Sequence, residues 1–193
     1  MKTYLLKNIE DVYQQITLDS IQLSESLNLG DGGLEDCVNL GLLDVKFSDR
    51  WKKVDTSFAS LPDHPQAVKI PNISIWKNAT LVLSEKAYAN LKLILADYGE
   101  FLPINIDGFN YFIFNLLTSG KVDDSKSQYE WDGDVALGIE KLVFDESDIK
   151  EKAIFKSFHQ GFGGIFCSDG FRSTCEELEI DGLIFEEDLS NIW

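Results

Sequence analysis

The stretch FLPINIDGFNYFIFNLL, residues 101–117, constrains the fold more than any other part of the chain. Two apolar runs flank Asp107-Gly108. A two-residue connection of this kind turns a strand back on its neighbour, because both of its residues take positive φ and Asp-Gly tolerates that. An antiparallel pair is therefore expected here. Just upstream, Leu81-Val82-Leu83 reads as a short buried strand. Ser84 then stands where a helix N-cap belongs, with Glu85 in the first turn, where the helix dipole favours negative charge. Ala87, Leu91, Ile94 and Tyr98 follow at helical spacing, and Gly99 reads as the stop.

The same pattern returns near the other end. Gly138–Phe144 and Ala153–Phe158 read as strands, and Ile165-Phe166-Cys167 as a third. Ser168-Asp169 opens another helix, and Gly182–Phe185 reads as a closing strand. Apolar residues fall at offsets +3, +7 and +10 after Ser84 (Ala87, Leu91, Ile94) and after Ser168 (Phe171, Cys175, Leu178). Either an old duplication or two solutions to one packing problem gives that match, since any capped amphipathic helix uses the spacing.

The first third is less regular. Thr3–Leu6 reads as a strand, Gly30-Asp31-Gly32-Gly33 as a loop, and Pro62, Pro65 and Pro71 exclude a long helix over 61–71. Residues 1–70 are expected to form a flank packed on a main domain at 71–193. With 193 residues, 44% of them hydrophobic and 26% charged, one core can form. The expected fold class is α+β, a mostly antiparallel sheet with two or three packed helices in a single domain.

Charge narrows the function. Seventeen Lys and Arg against 33 Asp and Glu give a net charge of −16. Such a surface repels phosphates and anionic lipid, so neither a nucleic acid nor a membrane is expected as partner. The three cysteines, Cys37, Cys167 and Cys175, form no CxxC pair and imply no disulfide framework. No signal peptide and no run of eighteen apolar residues is read, so a cytoplasmic location is expected.

Chemical motifs are few. His64 and His159 have no neighbouring Cys or His at ligand spacing, so no metal is expected. A calcium loop starting at Asp132 would place Leu137 and Val143 where Gly and Glu belong. His159 and Cys167 could meet across the Gly161–Gly164 turn, although the apolar run ending in Cys167 points to a buried thiol. The two glycine-rich stretches lack the spacing of a phosphate or dinucleotide loop, and both read as flexible turns. No cofactor is expected. With 33 carboxylates, a pair for acid–base work cannot be singled out.

One segment stands apart. DDSKSQYEWDGD, residues 123–134, joins five carboxylates (Asp123, Asp124, Glu130, Asp132, Asp134) to Tyr129 and Trp131. Aromatic anchors ringed by charge are the composition of an interface hot spot, and the carboxylates would steer a basic partner. These seven residues are the expected partner-binding set. Glu186-Glu187-Asp188, near Trp193, form a weaker one.

The ordered runs LVLSEKAYANL, GEFLPINIDG, VDDSKS, GIEKLVFDESDI, AIFKS and IFCSDGFRSTCEELEIDGLIF cover much of residues 71–187. In that order they resemble the bacterial immunity-protein family numbered eleven, whose genes sit beside polymorphic toxins. The resemblance implies a protein without catalytic residues that binds and silences a toxin made by the same cell or a sibling. Many such toxins attack nucleic acid and are basic, so an acidic protein would cover the cationic cleft. The readings from other classes are an acidic hydrolase or transferase using a carboxylate pair, and a scaffold or regulatory module of a secretion system.

Overall fold

In the computed structural model, residues 2–191 are described. The fold is α+β, mostly sheet, in a single domain. Strand β1 spans Thr3–Asn8 and β2 Gln15–Ile16, followed by helices α1 (Ser20–Leu27) and α2 (Gly33–Val38). Strands β3 (Val54–Thr56), β4 (Phe58–Ala59), β5 (Ile73–Ile75) and β6 (Thr80–Ser84) lead into α3 (Glu85–Leu95). Then come β7 (Gly99–Ile106), β8 (Phe109–Leu116), β9 (Gln128–Asp132), β10 (Val135–Lys141) and the one-turn α4 (Glu146–Ile149). Strands β11 (Ile154–His159) and β12 (Phe162–Ser168), α5 (Asp169–Glu177) and β13 (Leu183–Glu186) complete the order.

Two sheets carry the molecule. One has the order β3-β7-β8-β6-β5, parallel only at β3–β7, and the other is antiparallel with the order β11-β12-β1-β13. The Asp107-Gly108 turn joins β7 to β8 with φ of 52° and 89°, as the two-residue hairpin requires. Ser84 and Ser168 both cap helices, their hydroxyls accepting from the N–H groups of Ala87 and Phe171. Each such cap is worth about 1 kcal/mol.

Three apolar clusters explain the layering. The first is shared by one face of each sheet with α3 and α5, and includes Leu83, Ala87, Leu91, Phe114, Cys167 and Phe171. The second lies on the other face of the five-stranded sheet, where Leu23, Leu27, Cys37 and Phe47 cover Val82, Ile104 and Ile113. The third lies on the other face of the four-stranded sheet, where Val122, Leu142, Phe144 and Ile149 cover Leu5, Phe155 and Phe166. Residues 2–70 thus supply β1 to one sheet, β3 to the other and the cover over the second cluster.

Several local expectations shift. Helix α3 ends at Leu95, before Tyr98, and Gly99 opens β7 instead of closing a helix. The reason is tertiary: a Cβ on Gly99 would lie 2.2 Å from the Asn115 carbonyl oxygen. The strand expected at Gly138–Phe144 lies at Val135–Lys141, and Leu142 and Phe144 drop into the third cluster. Gly161–Gly164 is not a flexible turn. Gln160 and Gly161 (φ 53° and 83°) make a tight hairpin turn, and Phe162-Gly163-Gly164 already belong to β12.

Two polar joints bind the parts. Lys156 of β11 is buried, and its Nζ donates to the carbonyls of Gly41 (3.0 Å) and Leu43 (3.3 Å) while pairing with Asp44 at 2.9 Å. The second joint ties the sheets together. The Asn8 carboxamide both donates to and accepts from the backbone of Ile75, each at 2.7 Å. Asp181 accepts from the Asn72 side chain and from the Tyr13 hydroxyl at 2.9 Å, while Gly182 lies against Ile73.

Burial alone would raise the Asp181 carboxyl, but the hydrogen bonds from Asn72 and Tyr13 outweigh it and hold the group below its ordinary range. A depressed native pKa means that the stabilisation is present above the unfolded value and is lost as pH falls through the folded one. Stability should therefore decline below about pH 4, and Asp181→Asn should flatten that decline in urea titrations across pH 2–6. An unchanged slope in the variant would remove Asp181 from the acid response.

Candidate partner-binding face

The second half of the acidic segment forms the first strand and the turn of a β-hairpin. Gln128–Asp132 and Val135–Lys141 pair as a separate two-stranded sheet. Gly133, at φ 58°, leads the two-residue connection, the position that favours glycine. Strand alternation puts Tyr129 and Trp131 on one face and Glu130 and Asp132 on the other. Ile139, opposite Tyr129, packs toward the third cluster and roots the hairpin.

The seven expected residues divide by what they touch. Asp123 is used locally. Its carboxylate accepts from the backbone N–H and hydroxyl of Ser125 and pairs with Lys126 Nζ at 2.7 Å. The Lys126 ammonium and the Ser125 hydroxyl hold it below the usual carboxylate range. Asp145 with Ser147, and Asp188 with Ser190, repeat the same Asp-x-Ser turn. In each, two hydrogen bonds to one carboxylate favour its charged form.

Asp124 is exposed, and its Oδ1 lies 2.8 Å from His159 Nε2. Tyr129 is half-buried, with its ring 6.0 Å from the imidazole of His159 and 5.9 Å from the Trp131 ring. Its hydroxyl is buried without a hydrogen-bond partner, and burial, then the Asp124 charge, pushes its pKa up. Trp131 is 48% exposed. Glu130, Asp132 and Asp134 are exposed, and Val135 and Leu137 beside them are exposed apolar side chains. The structure thus brings Asp124, Tyr129 and Trp131 together and leaves Glu130, Asp132 and Asp134 free toward solvent.

A cleft of about 620 Å³ runs between this hairpin and the β11–β12 turn, bordered by Asp124, Tyr129, Trp131, Glu140 and Gln160 among others. Aromatic faces beside the Asp124 and Glu140 carboxylates suit a lysine or arginine side chain, by cation–π contact and ion pairing. His159, Phe158 and Glu140 were not singled out as partner-facing residues by the sequence. The signal available for His159 was its place just before the Gln160-Gly161 turn, which sets it at a hairpin tip.

The alternative chemistry finds less. Cys167 sits opposite Ile154, not His159, and its fully buried thiol is pushed far up by desolvation. Burial likewise raises Cys175, to about 12. Ser157 and Asp124 both border a second cleft with His159, an arrangement reminiscent of acid–base sites. No hydrogen bond joins Ser157 to His159 among the described residues. No group of three or more His, Cys, Asp or Glu among them is placed to hold a metal ion, and no described helix is long and apolar enough to cross a membrane. In the second acidic run, Glu187 pairs with Lys2 at 2.5 Å, Glu186 accepts from Asn191, and Trp193 lies outside the described residues.

The geometry defines an acidic α+β domain that presents an aromatic, carboxylate-rich hairpin. No known family model matches the chain, and no curated protein matches it either.

Proposed function

We propose that this chain is a non-enzymatic immunity protein that works in the cytoplasm, binding and neutralising one cognate bacterial toxin domain. The observation that carries the reading is the β9–β10 hairpin. It stands as its own small sheet, with Trp131, Val135 and Leu137 exposed beside three carboxylates that have no partner among the described residues. Exposed apolar side chains set among carboxylates of one sign are what a tight, steered interface needs. The net charge of −16 adds a long-range field that favours a basic toxin and a surface covering its cationic cleft. Resemblance to the immunity family supplies the biological class.

The test begins with the tagged protein in its native host, recovered in low and in high salt. A stoichiometric basic partner with toxin activity, inhibited by the pure protein, is the expected result. The triple variant Glu130→Lys, Asp132→Lys, Asp134→Lys should then slow association on the order of a hundredfold at low salt and much less at high salt. Asp123 and Asp124 are left intact, because reversing them would break the turn and the His159 contact. Association and salt dependence equal to the parent's would exclude the hairpin as the interface. Trp131→Ala should weaken the complex by about 2 kcal/mol, chiefly through faster dissociation.

A further inference from the structure

The ladder between β1 and β12 stops short. Its register runs Thr3–Ser168, Tyr4–Cys167 and Leu5–Phe166. Yet β1 continues to Asn8, and β12 begins as early as Phe162. Both strands stay paired on their other sides over these residues, β1 with β13 as far as Asn8–Leu183 and β12 with β11 from His159–Phe162. The sheet is therefore split at its middle, and a cleft of about 510 Å³ fills the split between Leu5–Asn8 and Gly163–Ile165.

The phase of the ladder says what faces the cleft. The Asp169 N–H donates to the Lys2 carbonyl. Alternate residues of an antiparallel strand present N–H and C=O to the same neighbour. Asn8 on β1 and Gly163 on β12 accordingly aim their main-chain groups at each other across the split, where their pair is not made. The β12 wall carries little side-chain bulk, because Gly163 and Gly164 form it. Packing demands glycine at both positions: a Cβ on Gly163 would lie 1.9 Å from the ring of Phe158, its β11 neighbour, and one on Gly164 2.8 Å from Leu5 Cδ1, which reaches across from β1 at the closed end of the split. The split opens toward the end of β1, where the exposed Glu10 and Asp11 border the cleft together with Lys7 and with His64, whose Nε2 is 3.8 Å from Glu10.

We infer that this split is a docking slot for an extended segment of a partner protein, which enters as an added strand between β1 and β12 and sets a lysine or arginine against Glu10 and Asp11. Main-chain pairing would give affinity, the open glycine wall would admit the backbone, and the acidic end would set direction. The inference goes beyond the toxin-binding reading and stands whether or not the hairpin is an interface.

The probe is a phage-displayed library of random decapeptides, selected on the full chain. The strongest peptide is made twice, once with free amides and once with alternate amides N-methylated. Binding should move and protect the amide NMR signals of Asn8, Gly163 and Ile165, and selected peptides should carry Lys or Arg near one end. N-methylation should weaken binding on the order of tenfold, as loss of one or two ladder hydrogen bonds would. A comparable loss is expected for the Glu10→Lys, Asp11→Lys variant with an unchanged melting temperature. Failure to select a peptide, signals that move only elsewhere, or equal binding of the N-methylated form would each overturn the slot. Because the methylated comparison uses the unmodified protein, no misfolded variant can obscure the answer.

Discussion

Gly182→Ala should destabilise the protein by about 3 kcal/mol or more, in the range that forbidden backbone regions and overpacking reach together. Gly182 holds φ 121°, and an added Cβ would lie 2.1 Å from the Ile73 carbonyl oxygen and 2.7 Å from Pro71. Neither neighbour can yield without moving β5. At the start of this strand the N–H groups of Asn72 and Ile73 donate to the Asp181 carbonyl, and at its end Ile75 exchanges two hydrogen bonds with the Asn8 side chain of the other sheet. A displaced β5 thus loosens the joint between the sheets as well as one strand. Urea unfolding reads the effect as a lower midpoint. The double variant with Asp181→Asn should lose less than the sum, because both changes act on one joint. A loss under about 0.5 kcal/mol, typical of a surface site, would mean that β5 and β13 are not locked together.

Lys156→Met should cost about 2–3 kcal/mol although it keeps most of the volume, because it strands two acceptors. The Gly41 and Leu43 carbonyls receive the ammonium, whose side chain is 2% exposed. Asp44, in contrast, is 64% exposed on its side chain, so Asp44→Asn should cost no more than about 1 kcal/mol. That asymmetry is the prediction. It separates a lysine that pins the 41–44 turn through main-chain carbonyls from one that merely completes an ion pair. Urea midpoints for the two variants read it, and equal losses would contradict it. The cost is felt between distant parts of the chain, since Lys156 belongs to β11 while the turn belongs to the cover of the other sheet.

Features written in a few adjacent residues were legible. Asp107-Gly108 needs only its own φ angles, and Ser84 and Ser168 need only the N–H three residues on. The end of α3 is not legible locally, because Gly99 answers to Asn115, sixteen positions away. Gln160-Gly161 was hidden because Gln at positive φ is uncommon, and Gly163 and Gly164 are set by Phe158 and Leu5. Helix α2 and the parallel pairing of β3 with β7 depend on long-range cover and gave little local signal, whereas α1 is marked locally by the Asp19 cap, which accepts from the Gln22 N–H, and by Asn28 at positive φ.

In the candidate site, the alternation of Tyr129 and Trp131 with Gln128, Glu130 and Asp132 was present in the sequence but masked by the count of charges. That count also treated all carboxylates alike. Asp-x-Ser at 123–125, 145–147 and 188–190 marks the ones that close turns. The Asp124–His159 contact joins positions 35 apart and had no local mark.

The place of β1 sets a timetable for synthesis. Residues 3–8 lie between β12 and β13, so their ladder partners are residues 166–168 and 183–186. At about 5–20 residues per second, a ribosome leaves Tyr4, Leu5 and Leu6 without those neighbours for roughly ten to thirty seconds. The β7–β8 hairpin can close meanwhile from contacts close in sequence. The four-stranded sheet cannot, because its second-to-last place is held by β1, made long before β11, β12 and β13. For that interval the nascent chain carries an apolar edge in search of a mate, which makes it a natural client for chaperones and leaves the final docking step slow compared with local turns.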